Sequence, residues 1–152
     1  MLLTGLICCG LLSGCGDGIK RFPLGKVNGK VVCEGVGVAK AMVYFEPLDS
    51  EGSTQTGEVG HAITGEDGSF SVGTYGIDDG AVVGKHRIRV GRTEGSGDCK
   101  CSLNAEVGLM EFEVKSGSIN ELTVTLPKKL KNEPKGNPAD FGDEPPEPPL
   151  KK

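Results

Sequence analysis

Apolar residues in this chain recur at every second position, and no stretch shows the three-to-four residue spacing of a long amphipathic helix. Successive side chains of an extended strand point to opposite faces, so such a chain buries its apolar residues by building sheets with one face turned inward. The stretch 64–90 shows the pattern most fully. Phe70, Val72 and Thr74 alternate with Ser69, Ser71 and Gly73, and His86, Ile88 and Val90 alternate with Lys85, Arg87 and Arg89. Glu66-Asp67-Gly68 and Asp78-Asp79-Gly80 punctuate it as turns, Gly68 supplying the positive φ of a tight reversal. The expectation is an all-β domain.

The flanking segments extend the pattern. Val27, Gly29, Val31 and Cys33 share one face of a strand, and Ala39, Ala41, Val43 and Phe45 share one face of the next, which ends at Pro47. With the turn at Glu34-Gly35-Val36-Gly37 these two read as a hairpin. A short strand over 61–64 leads into the central stretch. Near the end of the domain Met110, Phe112 and Val114 precede the turn Ser116-Gly117-Ser118, and Leu122, Val124 and Leu126 follow it, which reads as a closing hairpin. The total is about seven strands, at the spacing of a sandwich. Segments 49–60 and 93–105 are polar, lack periodicity, and are expected to be exposed loops. From Lys128 onward the chain is Lys, Glu, Asn and Pro with little to bury, so 128–152 is expected to be a disordered tail or extended spacer.

Residues 1–14 are apolar and rich in small residues, but too short to cross a bilayer as a helix. Leu12-Ser13-Gly14-Cys15 resembles the bacterial lipobox, in which a signal peptidase cuts before a Cys already carrying lipid on its thiol. The resemblance implies that 1–14 is a signal peptide, that Cys15 is the acylated mature N-terminus, and that 15–25 is a spacer ahead of a domain at 26–127. Two or three acyl chains hold a protein stably, where one holds only marginally. Gly16 follows Cys15, and the Asp associated with inner-membrane retention is displaced to Asp17, so the outer membrane is the expected destination.

The order and spacing of Val-Asn-Gly-Lys-Val, Ala-Met-Val-Tyr-Phe-Glu-Pro, Thr-Gly-Glu-Asp-Gly-Ser-Phe, and Gly-Leu-Met-Glu-Phe-Glu-Val across 26–127 resemble the transthyretin-like, carboxypeptidase-regulatory-like domains of bacterial lipoproteins. That resemblance implies a seven-stranded Greek-key β-sandwich, transthyretin-like or Ig-like, with no assigned activity. Gly37 stands where a Pro often opens the second strand, and His86 where an aromatic is common. The C-terminal Tyr-Arg-Gly-Ser of the related hydroxyisourate hydrolases is missing, the domain ending Leu-Thr-Val-Thr-Leu-Pro instead.

Once the signal has left and Cys15 is acylated, Cys33, Cys99 and Cys101 remain in an oxidising compartment. Cys99 and Cys101 are too close for an easy mutual bridge. One of them is expected to pair with Cys33, leaving one thiol. A metal site built on Cys99 and Cys101 lacks a complete ligand set in sequence. Two His, 61 and 86, and two Tyr, 44 and 75, match in number the iron ligands of certain dioxygenases, but not their motifs. His86 lies in phase with Ile88 and Val90 and reads as a satisfied core or interface residue. Asp67, Asp78 and Asp79 sit in turns without calcium-loop spacing. Lys85, Arg87 and Arg89 form an outward basic row, Glu111 and Glu113 an acidic one; cross-strand pairing or plain solvation is the default for both, and a recognition face the lesser reading.

Residues 26–127 hold nine Lys/Arg against fifteen Asp/Glu, within a chain of formal net charge −4. An acidic domain argues against nucleic acid as a partner. No catalytic motif, metal ligand set or cofactor signature stands out. The expected function is a non-enzymatic envelope module attached to the membrane through Cys15 and meeting an envelope protein or polysaccharide. A carbohydrate- or peptide-binding surface domain, its site supplied by 49–60 and 93–105, is the alternative. A hydrolase or metal enzyme, requiring His61 or His86 to meet a carboxylate or thiolate in a cleft, ranks last.

Overall fold

A computed structural model describes residues 21–49, 56–96 and 100–129. Among these residues the protein is all-β, with ten strands and no helix. In chain order they are β1 (Leu24–Gly25), β2 (Val27–Cys33), β3 (Val36–Gly37), β4 (Met42–Pro47), β5 (Gly60–Ile63), β6 (Ser69–Ser71), β7 (Ala81–Val82), β8 (Gly84–Gly91), β9 (Met110–Val114) and β10 (Asn120–Thr125). One four-stranded sheet runs β5-β4-β8-β9, antiparallel throughout. The other centres on β2, which pairs antiparallel with β3 and β6 and parallel with β10. A two-stranded ribbon joins β1 to β7.

Both four-stranded sheets turn their alternate apolar residues into one core. Val27, Val31, Phe70, Leu122 and Val124 enter it from the β2 sheet, and Val43, Phe45, Ile88, Val90 and Val114 from the other. Phe45 and Phe70 meet across the interface with ring centroids 6.2 Å apart. The period-two pattern of the sequence therefore assigns most faces correctly, although Val38 is buried in place of the expected Ala39 and Met110 is exposed, and Gly68 takes the expected positive φ, 84°.

The pattern does not assign the neighbours. The expected hairpin of 27–33 with 39–45 is absent, because β2 and β4 lie in different sheets. Lys40, at a φ of 54°, marks the corner where the chain crosses between them. Before it, Val38 N–H still bonds Val31 O, and at the corner Lys40 N–H bonds Thr64 O, just beyond the end of β5. The buried Thr64 hydroxyl donates to Val38 O at 2.6 Å and accepts Ala41 N–H at 2.8 Å, closing the crossing. The expected closing hairpin fails likewise. β9 pairs with β8 and β10 with β2, each arch burying its apolar face against the opposite sheet instead of beside its sequence neighbour. Asn120 holds that arch by accepting Lys115 N–H (2.9 Å) and donating to Lys26 O (2.9 Å), Lys115 O (2.9 Å) and Ser118 O (3.3 Å).

Two boundaries also move. Part of the expected spacer belongs to the fold, since Leu24 and Gly25 form β1. The segment 93–105 is not uniformly an exposed loop, because Cys101, Ser102 and Leu103 are buried. A disulfide joins Cys101 to Cys33 with Cα atoms 5.8 Å apart, and Ser102 N–H bonds Pro127 O at 2.8 Å, so the segment is drawn against the end of β10. Cys15, Cys99, the expected signal peptide and all of the tail beyond Lys129 lie outside the described residues.

Candidate functional site

Of the three cysteines considered for pairing, Cys33 takes Cys101 as its partner. Cys33 closes β2 at the edge of the core, and Cys101 is fully buried. The link fastens segment 101–103, which lacks strand pairing beyond a single bridge from Cys101 to Lys128, to the end of the sheet. Beside it, Lys128 Nζ and Glu34 Oε1 pair at 3.0 Å, and this bond holds the Glu34 carboxyl below its ordinary pKa.

The two histidines and two tyrosines do not converge. His61 stands opposite Tyr44 on neighbouring strands, both on the outer face of their sheet. His86, opposite Phe112 on β9, is fully buried on the inner face, its ring 5.9 Å from that of Phe45. Tyr75 lies elsewhere, its hydroxyl accepting Phe22 N–H at 2.9 Å. His86 is a core residue, but only half satisfied. Nδ1 meets Gly84 O at 3.0 Å, whereas Nε2 is buried with no hydrogen-bond partner. Burial pushes the His86 pKa down, because a charged imidazolium would lose its water with only one backbone carbonyl in exchange.

The turn aspartates serve their own backbone. Asp67 accepts the Ser69 hydroxyl at 2.6 Å and Ser69 N–H at 3.0 Å, and these bonds hold its carboxyl below the usual range. Asp79 accepts Thr74 N–H at 2.7 Å and Tyr75 N–H at 3.1 Å. Among the described residues, no three His, Cys, Asp or Glu side chains gather at metal-binding distance. The basic row stands beside the acidic one as expected, with Arg87 opposite Glu111 and Lys85 opposite Glu113. Its ion pairs run to the other neighbour, Glu46, at 3.7 Å from Arg87 and 3.4 Å from Arg89, while the Arg89 guanidinium also lies over the Tyr44 ring at 5.6 Å. Burial raises the Tyr44 pKa. Glu46 thus neutralises part of the basic row on this face.

One surface feature had no counterpart in the sequence reading. β6 and β10 flank β2, so register places Ser71, Asn28 and Glu121 in one row across the outer face and Ser69, Lys30 and Thr123 in the next. Asn28, Lys30, Ser69, Glu121 and Thr123 from these rows line an open groove of about 430 Å³. Ser71 donates to Asn28 Oδ1 at 2.6 Å, and Lys30 reaches Asp67 at 3.9 Å. The groove offers hydroxyls, an amide, an ammonium and a carboxylate, suited to hydrogen-bonding a polar ligand. The only sequence signal was the run of outward polar residues on each strand. Which strands stand side by side was not written there.

Neither a family model, nor a curated protein, nor a solved structure matches this chain.

Proposed function

We propose that the chain is a lipid-anchored envelope protein, held to the outer membrane by acyl chains on Cys15, whose β-sandwich is a non-enzymatic interaction or structural module. The observation that carries the reading is the Cys33–Cys101 disulfide, a core cross-link between residues 68 apart in sequence. Such bonds persist in oxidising compartments outside the cytoplasm, the destination that Leu12-Ser13-Gly14-Cys15 specifies. Setting aside three strands of two residues leaves seven, the number of the transthyretin-like, Ig-like Greek-key sandwich. The separation of His61 and His86 by the thickness of a sheet favours a module without catalysis.

The groove between β6 and β10 favours one further reading, a surface domain for a polysaccharide or peptide, with Lys30, Glu121 and Thr123 as hydrogen-bonding contacts. Fractionation of cells producing the chain tests the anchor. The native sequence is expected in the membrane fraction, released by detergent and not by salt, and carrying fatty-acid label, while Cys15→Ser loses the label. An unlabelled native protein that is soluble refutes the proposal.

A further inference from the structure

Two of the most exposed apolar side chains stand on loops fastened to the segment where the chain arrives from Cys15. Ile77 is 95 % exposed and Ile119 63 %. The loop bearing Ile77 is tied down on both sides. Tyr75 takes Phe22 N–H on its hydroxyl at 2.9 Å and the Arg21 guanidinium over its ring at 5.5 Å, and Lys26 Nζ donates to Asp78 O at 2.7 Å. The loop bearing Ile119 is tied to the same segment through Asn120, whose backbone N–H bonds Lys26 O at 2.8 Å and whose side-chain amide bonds the same oxygen at 2.9 Å. Arg21, Lys26 and Lys115 are exposed around these loops. Of the acids nearby, Asp79 is turned inward onto backbone N–H groups, while Asp78, Glu113 and Glu121 are exposed.

Arg21 follows Cys15 by six residues, a length of chain that spans at most about 22 Å when fully extended. β2 then runs away from this end for seven residues, so its far end, beside Cys33 and Val36, stands about 20 Å further off. An acylated Cys15 therefore brings Ile77 and Ile119 within reach of the bilayer surface and leaves the opposite end further from the tether. Exposed isoleucines gain by leaving water, cations gain beside lipid phosphates, and a tyrosine ring suits the headgroup layer.

We propose that this end of the domain rests on the anionic bilayer surface. Ile77 and Ile119 enter the boundary between headgroups and acyl chains, and Arg21, Lys26 and Lys115 face lipid phosphates. The contact fixes the orientation of the domain, so that the Cys33 end looks away from the membrane. The inference rests on lipidation of Cys15.

The chain contains no Trp, so a single substitution makes a unique fluorescent reporter. Ile77→Trp and Val36→Trp, each in the full lipidated chain, are compared in vesicles of phosphatidylethanolamine and phosphatidylglycerol. Val36 is 70 % exposed at the far end and controls for the affinity of tryptophan itself. The expected result is a blue shift for Ile77→Trp, with loss of most of its intensity when the acyl chains are brominated, and neither effect for Val36→Trp. Equal responses from the two ends, or none from either, in protein whose intact mass includes the acyl chains overturn the orientation and leave the anchor standing. A mass without acyl chains overturns the anchor, and the orientation with it.

Discussion

Breaking the Cys33–Cys101 bond removes the longest-range covalent restraint that the described residues contain. The cross-link joins residues 68 apart, and a loop of that length restricts the unfolded chain by about 4 kcal/mol at 25 °C on the chain-entropy model. A domain of this size is stable by only about 5–15 kcal/mol in total, so the reduced protein stands close to its unfolding limit. Reduction by dithiothreitol keeps both sulfur atoms in place and isolates the cross-link. The Cys33→Ala/Cys101→Ala double variant also empties the space of two sulfurs in the core, adding about 1 kcal/mol for each methyl-sized void. Urea unfolding followed by circular dichroism measures both. The expected loss is about 4 kcal/mol on reduction and about 6 kcal/mol for the double alanine variant, with a larger denaturant slope in each because the freed unfolded chain exposes more surface. Cys99→Ser leaves the transition where it was. A loss on reduction below about 1 kcal/mol, or a transition in Cys99→Ser that no longer responds to reductant, refutes the reasoning.

Protonation of His86 is a second handle. Its folded-state pKa lies below the ordinary histidine value of 6.5, so the burial costs nothing extra above that pH and increasingly more as the pH falls through 6.5 toward the lowered value. Thermal melts across that window are expected to show acid destabilisation that His86→Phe abolishes; an identical pH dependence in the variant contradicts the assignment. Gly35 and Gly68 share a φ of 84° but not their surroundings, since a Cβ on Gly35 meets nothing within 4 Å and one on Gly68 lies 2.5 Å from Val31 O. Gly35→Ala is expected to cost about 1 kcal/mol in urea titrations, the conformational penalty alone, and Gly68→Ala clearly more because the β2 backbone must move. Asn120→Leu strips four hydrogen bonds from the arch between β9 and β10 and is expected to cost at least about 2 kcal/mol, with amide exchange at Lys115 accelerated. Unchanged exchange there would show that the arch holds without it.

Faces were legible in the sequence and partnerships were not. Val27, Val31, Val43, Phe45, Ile88 and Val90 announce their burial through alternation with Lys, Arg, Asn and Tyr, because the pleat ties side-chain direction to sequence parity alone. Whether β2 bonds β4 or lies across the core from it depends on a turn between them, and the decisive residue, Lys40, carries a left-handed backbone that only its surroundings impose. β10 beside β2 in parallel is still less readable, since the pair forms between segments some ninety residues apart. The burial of Cys101 is of the same kind. In isolation 100–105 is a polar loop, and it enters the core because a distant sulfur bonds it there. His86 shows the reverse. Its phase with Ile88 and Val90 revealed that it is buried, while nothing in the sequence revealed that Nε2 has no hydrogen-bond partner. The groove between β6 and β10 needed the strand order first.

The central claim is that the chain is processed, acylated at Cys15 and stapled by one disulfide. Intact mass of protein taken from the membrane fraction of its host, after alkylation with and without prior reduction, tests all three at once. The account predicts a mass from Cys15 onward plus acyl chains, one thiol alkylated without reduction, assigned to Cys99, and two more, Cys33 and Cys101, only after it. An unprocessed chain without acyl groups, or Cys33 and Cys101 alkylated before reduction, contradicts it.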